Sequence, residues 1–299
     1  MPLKLTLPID SKSIELDEFN EILKQNNYDF NDQDQILEIA RYFSQLNNNK
    51  KFLLNFLSEQ LKSFHSSSKS DFIAPNAFVL DKKNSYKIRA VIWKPRPRSE
   101  SLENNFDFEI CHDHNFDLLT AGYFGPGYKT RCYTYNSLQI TGTLNERVNM
   151  IPEGTFSLSE GEILFYRSKH DIHIQIPPDS LSVSLNCIFN DNVDIPQYQF
   201  CEKTSKICRY FHSSKSEFLI RLSGVIGDQN LVDPLFSILK KDKSMHHKAY
   251  AAKAISQIVP NERRQVEEIM NDIKSPLLDD LFKREDLKIG SSYDLTEDY

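Results

Sequence analysis

Glycine placement constrains this chain most. There are nine glycines in 299 residues, and six of them (Gly122, Gly125, Gly127, Gly142, Gly154 and Gly161) fall within forty residues. Glycine tolerates the positive φ and close backbone approach that tight reversals require. The cluster therefore predicts short strands joined by turns in the middle of the chain, with helices in the glycine-poor flanks. The middle segment is rich in β-branched and aromatic residues, as strands are: Tyr86 to Pro95, Phe106 to Phe116, Lys129 to Tyr135, Glu162 to Ser168, His173 to Ile176 and Leu181 to Phe189. Pro95-Arg96-Pro97-Arg98 ends one strand, and Gly125-Pro126-Gly127 makes a sharp corner. Short strands with regular turns predict a closed or sandwiched β-domain.

The flanks carry helical spacing. Phe19, Ile22 and Leu23 form one stripe, Ile36, Ile39, Ala40 and Phe43 a second, and Phe52, Phe56, Leu57 and Leu61 a third. Asn26-Asn27 and Asn47 to Asn49 separate the three predicted helices, with Asp32 or Asp34 as N-cap of the second. Ser63 to Ser70 reads as a polar connector, and the chain turns helical again from Glu217. The expected organisation is an N-terminal helical region over 1–70, a β-barrel over 71–200 and a C-terminal helical region over 201–299.

Composition excludes several classes. With 39% hydrophobic and 26% charged residues the chain reads as globular rather than disordered. No apolar run approaches the ~20 residues of a membrane span, and MPLKLTLPIDSKS lacks the apolar core of a signal peptide. A cytoplasmic protein without a membrane partner is expected. A net charge of −6 argues against a dedicated nucleic-acid binder. Five cysteines with no C-x-x-C spacing do not read as a disulfide framework or a zinc knuckle. Gly-x-Ser-x-Gly, Walker and Gly-x-Gly-x-x-Gly motifs are missing from the sequence.

The segment Phe106-Asp-Phe-Glu-Ile-Cys-His-Asp-His-Asn-Phe116 carries the chemistry. Read as a strand, it puts His112 and His114 on one face with Phe106, Phe108, Ile110 and Phe116, and the carboxylates on the other. Two imidazoles aimed the same way among apolar side chains can hold one metal ion through neutral nitrogens. A third ligand must come from a neighbouring strand. His170 and His173 are the candidates, and His173 is preferred; it shares a strand face with Gln175, a candidate substrate contact. Tyr128 or Tyr133 can supply a phenol as acid or hydrogen-bond donor. Arg131 shares a face with Tyr133 and, if inward, would clamp a substrate carboxylate bidentately; the competing reading is a solvated surface arginine. Asp113 points away from the ligands as surface charge. Asp117 has the same reading, or braces a ligand ring nitrogen.

His-Asp-His before a glycine-containing turn, then a Gly161-Glu162 strand, a later histidine and the closing strand Ser182 to Phe189 resemble a cupin. The resemblance covers roughly Ala90 to Asn190. Leu118 and Leu119 stand where cupins usually carry a glutamate, which makes the chain more similar to the three-histidine, cysteine-dioxygenase type. This resemblance implies an α+β protein with a double-stranded β-helix barrel flanked by N-terminal and C-terminal helices. His112, His114 and His173 would hold Fe(II), with Zn, Mn and Ni as alternatives. It further implies an oxygenase using O2 on a small-molecule, amino-acid or peptide substrate, and a possible homodimer. Two other readings stay open: a ligand-binding or sensor cupin whose helices contact a partner protein, and a metal-dependent isomerase or lyase. The stretch Gly224 to Pro260 resembles a single HEAT-type helical hairpin.

Overall fold

A computed structural model describes residues 3–7, 11–26, 28–62, 72–74, 76–95, 109–192, 195–211 and 215–284. The chain divides into two compact units. One comprises Met1–Tyr135 and Asn149–Asp191, the other Asn136–Val148 and Asn192–Tyr299.

The first unit opens with β1 (Leu3–Lys4) and three helices, α1 (Leu16–Gln25), α2 (Gln33–Asn48) and α3 (Lys50–Lys62). Asp32 is the N-cap of α2, its carboxylate accepting from the Asp34 amide. Ile36, Ile39, Ala40, Phe43 and Leu46 are buried along α2 at helical spacing. Ten strands follow: β2 (Phe72–Ala74), β3 (Ala77–Lys82), β4 (Tyr86–Trp93), β5 (His112–Asp113), β6 (Asp117–Phe124), β7 (Lys129–Thr134), β8 (Ile151–Ser157), β9 (Ile163–Tyr166), β10 (Asp171–Ile176) and β11 (Ser182–Phe189). One antiparallel sheet runs β1-β9-β6-β11-β4-β3-β2; the other contains β5-β10-β7-β8.

From β4 to β11 each strand crosses to the opposite sheet except at the β7–β8 pair, and the first strand pairs with the last. This is the eight-stranded double-stranded β-helix. The architecture is thus α+β, a cupin-type barrel with helices before and after it in the chain. Gly125 and Gly127, at φ +82° and +75°, turn the chain from β6 into β7 as expected. At Gly127 a β-carbon would lie 1.9 Å from the Leu158 carbonyl oxygen.

Alternation sorts each strand between two cores. Along β4, Tyr86, Ile88 and Ala90 face the helices, whereas Val91 and Trp93 face the barrel interior. Along β6 and β9, Leu119, Ala121, Ile163 and Phe165 face the helices; Leu118, Leu164 and Tyr166 face inward. An amphipathic helix needs a surface for its stripe, and the outer face of the larger sheet supplies one. The N-terminal helices therefore share a core with the barrel rather than forming a separate region over 1–70.

In the second unit, β12 (Gln197–Cys201) and β13 (Lys206–Phe211) form a hairpin, followed by α4 (Lys215–Ile226), α5 (Val232–Lys241), α6 (Met245–Ile258), α7 (Arg263–Ile273) and α8 (Pro276–Lys283). The expected boundary near residue 200 thus falls inside this unit, which also takes in 136–148. α6 is the hub on which α4, α5, α7 and α8 pack. Its alanines 249, 251, 252 and 254 are all buried, leaving room for neighbours on several sides. For the same reason His246 and His247 are buried. No described helix is long and apolar enough to cross a membrane.

Candidate metal centre

The continuous strand expected over Phe106 to Phe116 is shorter in the fold. Phe106 to Phe108 lie outside the described residues, β5 spans only His112–Asp113, and the chain bends at Asn115–Phe116 before entering β6 of the other sheet. A double-stranded β-helix must cross between sheets here, so the strand cannot continue. His112 pairs directly with His173 on β10, and Asp113 pairs with Ile172. Paired residues share a face, so His112 and His173 both project inward, among Tyr166 and Cys132, and Gln175 lies on the same face of β10.

The three imidazoles converge. One ligand nitrogen from each of His112, His114 and His173 lies within 4.8 Å of the others. Their ring centroids are 5.0, 4.5 and 4.8 Å apart, with Phe116 stacked on His114 at 4.4 Å and Tyr166 edge-on to His173 at 4.6 Å. His112 Nδ1 donates to the Ile110 carbonyl at 3.0 Å, which leaves Nε2 as the lone-pair nitrogen, 3.1 Å from His173 Nε2. If that second nitrogen also presents a lone pair, the contact is repulsive unless a cation lies between them. If it carries the proton, the buried His173 Nδ1 becomes an acceptor with no hydrogen-bond donor among the described residues. Two nitrogens each about 2.1 Å from one ion at about a right angle are separated by about 3 Å. Burial first, and the neighbouring His112 and His114 second, hold His173 well below the usual histidine range, so it is neutral as a ligand must be. The donor set fits a divalent metal ion.

His170, the alternative third ligand, lies in the β9–β10 turn and lines a different cavity of about 350 Å³ with Asp117, Arg167 and Asn190. Tyr128 is buried against the Trp93 ring at 4.4 Å, with the side chains of Gln175, Thr120 and Tyr166 around its hydroxyl. Burial pushes the phenol up to about 12, so it stays protonated. Its neighbours form a polar lining: Tyr166 donates to Thr130, Thr120 to Asn186, Ser184 to Asn186 and Trp93 to Ser184.

The expectations for Arg131, Tyr133, Asp113 and Asp117 need correction. Arg131 and Tyr133 pair with Ile174 and Ile172, on the face of β7 opposite Cys132, so neither side chain points toward the imidazoles. Alternation along a strand says which residues share a face, but not which face is inside. The interior guanidinium is Arg89, which sequence reasoning missed. Arg89 alternates with Val91 and Trp93, pairs with Asn186, and interacts electrostatically with Tyr128 and Asp191. Its Nε is fully buried and without a hydrogen-bond partner among the described residues. The available signal was an arginine inside the otherwise apolar run IRAVIW. Asp113 is not surface charge: it is wholly buried, accepting from Tyr135 Oη at 2.6 Å and paired with Lys169 Nζ at 2.7 Å. Asp117 braces no imidazole; it accepts from the Ser168 amide and from Asn190 Nδ2, each at 2.8 Å.

No family profile matches the sequence, and no curated protein matches it. Among solved structures it is similar to the DMSP lyase DddQ from Ruegeria pomeroyi, at 13% identity over 43% of this chain and 54% of that one, with a TM-score of 0.24. It is similar to a salicylate 1,2-dioxygenase from Pseudaminobacter salicylatoxidans, at 9% identity over 46% of this chain and 33% of that one, with a TM-score of 0.26. A hydroquinone 1,2-dioxygenase from Sphingomonas sp. TTNP3 gives 10% identity, 48% and 78% coverage and a TM-score of 0.26. The chain spans about half or less of the length of the first two.

Proposed function

We propose that this protein is a cupin-type, mononuclear non-haem iron oxygenase acting on a small molecule that carries a carboxylate. The observation that carries the reading is the convergence of His112, His114 and His173 on one point inside the barrel. Three neutral imidazoles leave the remaining coordination positions to other ligands, and they accept Fe(II) as well as Zn, Mn or Ni. Fe(II) held there would supply Lewis-acid and redox chemistry toward O2 and a bound substrate.

The chain's own residues would do the rest. Arg89 offers a partly buried guanidinium whose Nε is sealed from water, which suits a carboxylate better than any neutral group. Tyr166, edge-on to His173, and Tyr128, which acts electrostatically on Arg89, line the space between the imidazoles and the guanidinium. A substrate anchored on Arg89 would lie in that space with its reactive end toward the imidazoles. Tyr128, kept protonated by burial, would donate a hydrogen bond to a substrate oxygen rather than take a proton. Gln175 would hold the Tyr128 hydroxyl in place rather than touch substrate, and the apolar rings of Trp93 and Phe116 would exclude water.

Elemental analysis of the purified full chain tests the reading. About one iron per chain is expected, lost in His114→Ala and in His173→Ala. Full occupancy in either variant would overturn it.

A further inference from the structure

The ligand-bearing stretch has a short ladder on β10, two paired residues and the Glu109 amide donating to the Gln175 carbonyl at 2.9 Å. His112 and Asp113 pair with β10, and the chain leaves the sheet at His114. Lys169, in the turn between β9 and β10, adds two attachments beyond that ladder. Its backbone N–H donates to the His114 carbonyl at 2.8 Å, and its Nζ meets Asp113 Oδ2 at 2.7 Å. The same carboxylate oxygen receives the Tyr135 hydroxyl at 2.6 Å. Asp113 lies on the face away from the imidazoles, so these contacts grip the ligand-bearing stretch from outside.

The backbone of Lys169 shows that the grip is specific. It sits at φ +52°, a left-handed conformation that a β-carbon disfavours. Glycine or asparagine, the usual residues there, would keep the amide bond but bring no cation to a buried carboxylate. A non-glycine outlier that persists is one its surroundings over-determine, and here the surroundings are Asp113 and His114.

We propose that Lys169 is a positioning residue for the metal centre, setting the spacing and aim of His112 and His114 by gripping Asp113 and the His114 carbonyl together. The role rests on the metal reading above. The test is Co(II) titration of the metal-free full chain, followed by visible absorption, for wild type, Lys169→Met, Lys169→Gly and Lys169→Arg. Loss of an outer partner of a ligand typically weakens metal binding 10–100-fold. That weakening and an altered band shape are expected for Lys169→Met. Lys169→Gly, which relieves the backbone and keeps the amide bond, should weaken binding comparably, and Lys169→Arg should recover most of it. Should Lys169→Met fail to fold because Asp113 is left unpaired, the double variant Asp113→Asn, Lys169→Met removes both charges and is read in its place. Wild-type affinity and band shape in the Met and Gly variants would overturn the positioning role while leaving the metal reading intact. No Co(II) band in wild type would overturn both.

Discussion

The first unit contains two cores of opposite character, separated by one sheet. Between the larger sheet and the N-terminal helices, Phe19, Ile39, Phe43, Leu119, Phe165 and Leu185 pack with no exposure at all. Inside the barrel, Trp93, Leu118 and Leu164 share the space with hydroxyls, an amide, three imidazoles and a guanidinium. The same strands serve both, alternate residues going to each side. Apolar area removed from water stabilises by about 25 cal/mol per Å², and the outer core collects it without desolvating charge. The inner core gives up part of that gain to keep polar groups dry and aimed. Stability and chemistry are thus assigned to opposite faces of one sheet.

Three perturbations test that division. The largest effect is expected from Phe43→Ala in the outer core, which should cost about 3–5 kcal/mol in denaturant unfolding. The folded variant should keep the wild-type metal content; if metal is lost in step with stability, the two cores are not separable. Arg89→Met should do the reverse. Removing a partly buried charge that forms no close ion pair among the described residues should leave unfolding nearly unchanged, while affinity for small monocarboxylates from acetate to benzoate, measured by calorimetry on metal-loaded protein, should fall on the order of 100-fold. Arg131→Met is the control and should bind as wild type; equal losses in the two variants would refute the inner–outer assignment.

The smallest effect concerns pH. In metal-free protein His173 is held below its ordinary value of 6.5, so the unfolded chain takes up a proton that the folded chain refuses. This histidine leaves stability undiminished above about pH 6.5 and reduces it as pH falls, by at most about 1.4 kcal/mol per pH unit. Urea midpoints from pH 7.5 to 5.5 should show that slope in wild type and a shallower one in His173→Phe. Identical slopes would mean that the imidazole is not buried neutral.

Much of this was legible in the sequence because strands and helices announce themselves by period. The stripe Ile36, Ile39, Ala40, Phe43 lies on the buried face of α2, and Asp32 is its cap. The strands beginning at Tyr86, Lys129 and Ser182 follow the apolar runs. His112 and His173 were each read on a strand, but nothing local says that two strands sixty residues apart will pair at those positions. That is fixed by barrel closure, a property of all eight strands together. Inside and outside were invisible for β7, whose two faces are similarly mixed in polarity, so the two readings of Arg131 could not be told apart. β4 hid Arg89 because both of its faces are largely apolar, as expected of a strand covered on both sides. β3, β6 and β8 went unread, the last having a glycine and a proline among its seven residues.

Arg89 has one further consequence. A guanidinium nitrogen sealed from water without an acceptor weighs against the fold. Any anion that satisfies it should return that free energy as resistance to heat. Binding at a hundred times the dissociation constant adds about 2.7 kcal/mol, enough to read as a shift in melting temperature. The barrel therefore carries its own reporter, and a melting screen of carboxylates can search for its natural ligand before any reaction has been observed.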